Sequence, residues 1–342
     1  MSYSALKLLI VVQVLAITFG GCADEKQTEV HTPVEQSTSA NVGKADNAGS
    51  LDFKEDILTA ADENCSFDPS DRFEPRSRFL QGPWQGQCHD TRQRRPVGLL
   101  SGEDREEYPQ FEGYLAIYNV YHQDHFWTAF VPEDALSTVY FQLEYFPAVI
   151  PAGHTQLRLE YDEPIFLVGQ SAANKGRIDE VYDLTLSVEA VTRPGDQYDL
   201  IKGTQENVAV AFRVTSMEAR YEDMVLRQNH HVEQWRLQLE PAEQQALLFH
   251  YVTESTEHQL DYAYHTLFKN CTTEIIRVLD GVAQYNWREN IRRFLVKVTE
   301  IYPNIVRAAL IARNLLPLDQ STDWYPLEED QDFIEKYQAK AQ

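Results

Sequence analysis

The chain has 342 residues, with 30 Lys and Arg against 53 Asp and Glu and a formal charge of −23 at neutral pH. A surface this acidic repels nucleic acid and anionic headgroups, which argues against a nucleic-acid partner and leaves the substrate open. The length is enough for one large domain or for a domain with an appendage.

Residues 1–22, MSYSALKLLIVVQVLAITFGGC, begin with Lys7 as their one charge, run apolar to Phe19 and end in two glycines before Cys22. That is the layout of a bacterial lipoprotein signal, with an apolar core too short to span a bilayer comfortably. Cys22 is therefore expected to become a lipidated first residue, and acyl chains such as palmitate to hold the protein at a membrane. Ala23 follows rather than Asp, which predicts the outer membrane, facing the periplasm. An ordinary secretory signal or a membrane anchor is the alternative. Removing residues 1–22 with Lys7 leaves a mature chain of −24. Residues 23–50 are polar, lack aromatics and show no apolar period. Such a stretch cannot bury enough surface to offset its ordering entropy, so it reads as a flexible tether.

Residues 51–112 are rich in Asp, Arg, Pro and Gln and read as an irregular cap, part of an N-terminal region reaching residue 149. Cys65 and Cys88 both lie there. In an oxidising periplasm they are expected to pair, closing a loop whose constraint contributes roughly 3 kcal/mol. From Gly113 the pattern becomes period-two: YLAIYNVY, HFWTAFV, STVYFQLEYF, HTQLRLEY, IFLVG, VYDLTLSV, NVAVAFRV and EQWRLQL. Alternation with β-branched and aromatic residues predicts strands. Helical patterns follow. Pro241 sits in the first turn of one, a second begins near Asn270, WRENIRRFLVKVTEIY is a third, and NIVRAALIARNLL and DFIEKYQAK supply two more. Strands followed by helices indicate an α+β fold, an antiparallel sheet packed with helices, with residues 321–342 as a helical tail.

Cys271 is left over, and an odd thiol in an exported chain is either inert and buried or kept for its reactivity. In KNCTTEIIRVLDG, Asn270 is a good N-cap, Ile275, Ile276, Leu279 and Val282 form an apolar stripe, and Gly281 is a plausible stop. Cys271 then lies in the first turn, where unpaired N–H groups and about half a positive charge favour a thiolate. The same N–H groups suit the oxyanion of a tetrahedral intermediate. A small cysteine filling a helix–sheet gap fits this placement equally well. His154 begins a strand and, by alternation, points away from Leu157, Leu159 and Tyr161, which makes it a candidate base or an exposed strand-end histidine. Glu189 ends another strand and could accept a hydrogen bond from the imidazole.

YHTLFKNCTTEI resembles the Tyr-x-Thr-Leu-x-x-Asn-Cys-Thr-Thr signature of the Lnb N-terminal periplasmic domain family. GHTQLRLEY, LSVEAVTRPGDQYDLIKG and YEDMVLRQN resemble its upstream segments in order, and the likeness covers residues 150–320. Val191 stands where the family tends to have Arg, and residues 163–182 look like an insertion. The family is remotely similar to circularly permuted papain-like thiol hydrolases of the NlpC/P60 type. The resemblance implies Cys271 as nucleophile, His154 as general base, Glu189 as the group that orients the imidazole, and Asn270 as a residue shaping the oxyanion region.

Other signals are weaker. His122, Asp124 and His125, and the pair His230 and His231, lack the rest of a metal site, and no phosphate loop or serine-hydrolase elbow is present. No cofactor is implied. Arg288, Arg292, Arg293 and Lys297 form a basic helical face, expected to pair with acidic neighbours. Two functions follow: a periplasm-facing lipoprotein hydrolysing or transferring an acyl group from a cell-wall peptide or lipid, or a non-catalytic envelope protein binding such a ligand in the same cleft.

Overall fold

The computed structural model describes residues 71–341 and Cys65, apart from 76–77, 81–83, 147–152, 197, 199–201, 206–207, 267, 298–304 and 319–323. The expected signal, Cys22 and the tether lie outside the described residues. Period-two sequence becomes strand as expected in β2 (Tyr114–His122), β3 (His125–Pro132), β4 (Leu136–Tyr145), β5 (Gly153–Gly169), β6 (Ile178–Val191), β7 (Val208–Ser216) and β8 (His231–Arg236). Three short strands are not foreseen: β1 (Gly98–Leu99) in the region read as an irregular cap, β9 (Ala263–Tyr264), and β10 (Trp324–Pro326), which puts a strand in the tail expected to be helical. The helices are α1 (Gly102–Glu106), α2 (Met217–Tyr221), α3 (Pro241–His258), α4 (Cys271–Val282), α5 (Trp287–Leu295), α6 (Val306–Ala312) and α7 (Gln331–Ala341). The fold is α+β, and Cys65 and Cys88 form a disulfide.

The sheet runs β1-β2-β7-β6-β5-β4-β8-β10, with β3 on β2 and β5 and β9 on β7. It departs from a purely antiparallel sheet at one place, where β2 and β7 meet in parallel at Tyr121 and Thr215. That contact closes a ring of pairings through β2, β3, β5, β6 and β7. The ring needs a long β5. Two segments predicted separately, HTQLRLEY and IFLVG, form one strand of 17 residues with an irregularity between Glu160 and Ile165. Residues 163–182 extend the β5–β6 hairpin, which lets Phe166 to Gly169 pair with β3. β4 pairs along β5 from Tyr145–Gly153 to Leu136–Tyr161, so residues on both sides of position 150 share one sheet.

Alternation sends Leu157 and Leu159 to the face that packs on α3 and α4, joining Leu186, Phe212, Tyr251, Ile275 and Leu279 in the main core. Pro241 and a Glu240–Glu243 capping box start α3. Gly281 is not a stop, because α4 continues to Val282 and a Cβ at 281 would come within 2.0 Å of His250 Nε2. Glycine there permits close approach of the two helices.

The opposite face is polar and also buried. Gln142, Gln156 and Gln234 are fully shielded and Arg158 is 1% exposed. Arg158 donates from Nε to Asp183 at 2.7 Å and from Nη1 to Asp330 at 2.5 Å. Gln156 bonds to Gln142 at 2.8 Å and Gln142 to Gln234 at 3.0 Å, while Arg220 donates to both Gln156 and Glu144. α2, the π-helical turn Glu222–Arg227, the 3-10 turn Leu327–Glu329 and the start of α7 cover this layer through Met217, Met224, Leu327 and Phe333. Arg158→Ala is expected to cost about 3–5 kcal/mol, because it strands two buried carboxylates. Urea denaturation of the full chain measures this; a loss under about 1 kcal/mol would show that water already neutralises the layer.

Candidate functional site

The site begins with a helix start. Asn270 adopts an extended backbone and its Oδ1 accepts the Thr273 N–H at 2.9 Å, while Thr273 Oγ1 accepts the Asn270 N–H at 2.9 Å. Its Nδ2 donates to the Thr266 carbonyl at 2.7 Å. The side chain expected to shape the oxyanion region is thus occupied on both polar ends, and its effect is to fix where α4 begins. Cys271, the first residue of α4, is a free cysteine 6% exposed to solvent. Its Sγ lies 3.9 Å from Thr272 Oγ1, and Thr272 in turn accepts from Thr155 Oγ1 at 3.2 Å. That last contact ties the helix start to β5 beside His154.

His154, the second residue of β5, lies opposite Glu144 on β4, and its imidazole lines the same cleft as the Cys271 thiol, where each senses the charge of the other. Burial by itself pushes the thiol up, yet the imidazole and the N–H and hydroxyl of Thr155 bring Cys271 down to about 7. Burial likewise pushes His154 down, and the charge of Cys271, with that of Glu189, raises it above its ordinary value. Each group is held ionised by the other, so the two protons leave as a property of the pair.

Glu189 does not make the expected hydrogen bond to the imidazole. Its Oε1 accepts from Ser187 at 3.0 Å and from Arg213 at 3.0 Å, and its Oε2 from Arg94 at 2.7 Å. His154 Nε2 is buried without a hydrogen-bond partner. Burial raises the Glu189 carboxyl, but Arg213, Arg94 and Arg220 together hold it well below the usual carboxylate range. Glu189 therefore acts on His154 through charge across space. Val191, which stands at the family's Arg position, is fully buried in a small cluster with Phe79, Ala209, Ala211 and Leu260.

A cleft of about 240 Å³ opens onto this pair, with Arg94, Glu144, Phe146, Arg220 and Tyr264 among its walls. Tyr264 is the first residue of the motif YHTLFKNCTTEI, and sequence reasoning gives it no role. It lines the cleft with Cys271, and burial together with the charge of Cys271 raises its phenol well above an ordinary one. Sequence reasoning also missed Thr155, adjacent to His154, and Arg94, which belongs to the basic run RQRRP.

The histidines considered for metal have other partners. His122 is 1% exposed, with Nδ1 at 2.7 Å from Ser216 Oγ and Nε2 at 3.1 Å from Asp179. This has the bonding order of a hydrolytic triad, but Ser216 is fully buried and its Oγ caps α2 by accepting the Ala219 N–H. His230 bonds to Glu144 at 2.6 Å and His231 faces Glu328 at 3.4 Å. Among the described residues no three His, Cys, Asp or Glu side chains are grouped to hold a metal ion.

The thiol geometry sets a pH profile. Because Cys271 is lowered to about 7, thiolate is present above that pH and is lost below it, so alkylation by iodoacetamide should be half-maximal near pH 7. An ordinary thiol would reach that point near about 8.5. His154→Ala should move the midpoint upward by a unit or more, since burial then acts unopposed. A midpoint above about 8.5 in the unsubstituted protein would exclude the ion pair.

Residues 122–304 match the Lnb N-terminal periplasmic domain. No curated protein and no solved structure matches the chain. A periplasmic domain points to an exported protein, and among the described residues no helix is long and apolar enough to cross a membrane. The matched stretch is more than half of the 342 residues and contains His154, Glu189 and Cys271, so the chain belongs to the Lnb N-terminal periplasmic domain family.

Proposed function

We propose that this protein is a thiol hydrolase or acyl transferase of the bacterial envelope, with Cys271 as nucleophile and His154 as its base. The observation that carries the reading is that Cys271, at a helix start, and His154 line one open cleft and each favours the ionised form of the other. His154 takes the thiol proton and the thiolate adds to the carbonyl of an amide or ester. The imidazolium then protonates the leaving amine or alcohol, which departs as the acyl thioester forms. Water, or a second acceptor, gives up a proton to His154 and displaces the acyl group from sulfur.

Charge on the tetrahedral oxygen is met by the backbone N–H groups of the first turn of α4, which Cys271 begins. Glu189 stabilises the imidazolium through space, and Asn270 keeps the helix start in position. The order of histidine strand before cysteine helix supports a circularly permuted papain-like arrangement. The lipoprotein-type N-terminus supports an anchor through acylated Cys22, with the domain facing the periplasm from the outer membrane. The substrates available there are cell-wall peptides and lipid esters.

One observation favours a second reading, a cleft that binds such ligands without turning them over. His154 Nε2 is buried without a hydrogen-bond partner, so no group orients the ring. p-Nitrophenyl acetate separates the two. A hydrolase or transferase should carry an acetyl group on Cys271, seen by intact mass spectrometry, and His154→Ala should slow its formation by about 100-fold or more. Absence of acetyl-Cys271 at a pH where the thiol is alkylated freely would leave only the binding reading.

A further inference from the structure

α5 is exposed along its whole length, with no buried residue. Trp287, Ile291, Phe294 and Leu295 fall at i, i+4, i+7 and i+8, which places them on one stripe of the helix. They are 68%, 52%, 79% and 73% exposed, so four large apolar side chains form one uncovered stripe, the kind of contiguous patch that marks an interaction surface. The helix is nonetheless well defined at its start, where Asn286 and Glu289 form a capping box. It is fastened from one side: Arg293 pairs with Asp280 at 2.6 Å and stacks on the Tyr285 ring at 4.0 Å. That attachment turns the apolar stripe outward.

The basic residues of this segment correct the expectation that they pair with acidic neighbours. Arg293 does so, but two of the others do not. Among the described residues, Arg288 and Arg292 form no ion pair, and the Arg288 guanidinium rests over the Trp287 ring at 5.3 Å. Residues 287–297 carry Arg288, Arg292, Arg293 and Lys297 against Glu289 alone, in a chain that has 53 carboxylates to offer as partners. Two arginines bordering an uncovered aromatic and aliphatic stripe are the features of a helix that lies in a lipid interface.

We propose that α5 docks in the plane of an anionic phospholipid surface, with Trp287, Ile291, Phe294 and Leu295 entering the headgroup boundary and Arg288 and Arg292 meeting phosphates. The acidity of the whole chain does not oppose this. Charge is screened over about 8 Å at physiological salt, so the segment in contact decides the sign of the interaction. The inference is independent of the thiol chemistry and of the N-terminal anchor, and it gives the folded domain a fixed face toward the membrane.

The test uses the full chain with vesicles of phosphatidylethanolamine and phosphatidylglycerol whose acyl chains are brominated. Docking through α5 predicts quenching of tryptophan fluorescence that is largely lost in Trp287→Phe, since Trp127 and Trp235 are buried and Trp84 and the half-exposed Trp324 lie on other elements; quenching that survives in Trp287→Phe would point to those instead. Ile291→Asp with Phe294→Asp should abolish the Trp287 component. Arg288→Glu with Arg292→Glu should lower the docked-to-undocked ratio by roughly 30-fold or more, given the attraction of each basic residue to an anionic surface. All four are solvent-facing changes, so circular dichroism should be unaltered. Equal quenching on pure phosphatidylcholine, or quenching that ignores these substitutions, would overturn the proposal. So would a concentration-dependent dimer that Phe294→Asp dissolves and vesicles leave intact, since a second copy would then be what covers the stripe.

Discussion

A guanidinium sealed from water governs this architecture. Arg158 is 1% exposed, and a buried cation is tolerable only when its donors are met by carboxylates in good geometry. Asp183 on the neighbouring strand and Asp330 ahead of α7 meet it. From there the hydrogen bonds pass through Gln234, Gln142 and Gln156 to Arg220, and from Arg220 to Glu144, where His230 also binds. Glu144 and Arg220 are walls of the cleft. One connected polar layer thus runs from the end of the chain to the thiol site, and chains of this kind fix a single arrangement because each unsatisfied member is costly.

Around the thiol, burial and charge oppose each other. Burial is the largest influence on Cys271 and on His154, and in both cases it favours the neutral form. What reverses it is mutual: the thiolate supports the imidazolium and the imidazolium supports the thiolate. Glu189 adds to the imidazolium from a distance, but three arginines share its charge. Its influence on His154 is therefore moderated, and Arg94 and Arg213 are as much a part of the local field as the carboxylate itself.

Local features were legible in the sequence. Period-two runs became strands, Asn270 became an N-cap and Cys271 the first residue of its helix. Cys65 and Cys88 paired. These depend on near neighbours or on a small number of possible partners. What was not legible depends on residues far apart in the chain. The glutamate was read as the partner of His154, yet its bonds go to Arg94, 95 residues away, and Arg213. Gly281 looked like a stop because its reason, His250, lies on another helix. The ring of strands could not be foreseen because β5 changes partners midway from β4 to β3, and alternation alone says nothing about which strand is adjacent.

The contacts of Arg158 and Glu189 bear on what counts as a unit in this family. The similarity spans residues 122–304, yet Asp330 lies beyond it on one side and Arg94 before it on the other. Excising residues 122–304 would remove a carboxylate from a sealed arginine and an arginine from a sealed carboxylate, and would strip most of β2 from the ring. A boundary drawn by resemblance is therefore not a boundary for autonomous folding: the portable module in this chain extends at least from Asp71, which pairs with the buried Arg95, to the helix after Asp330.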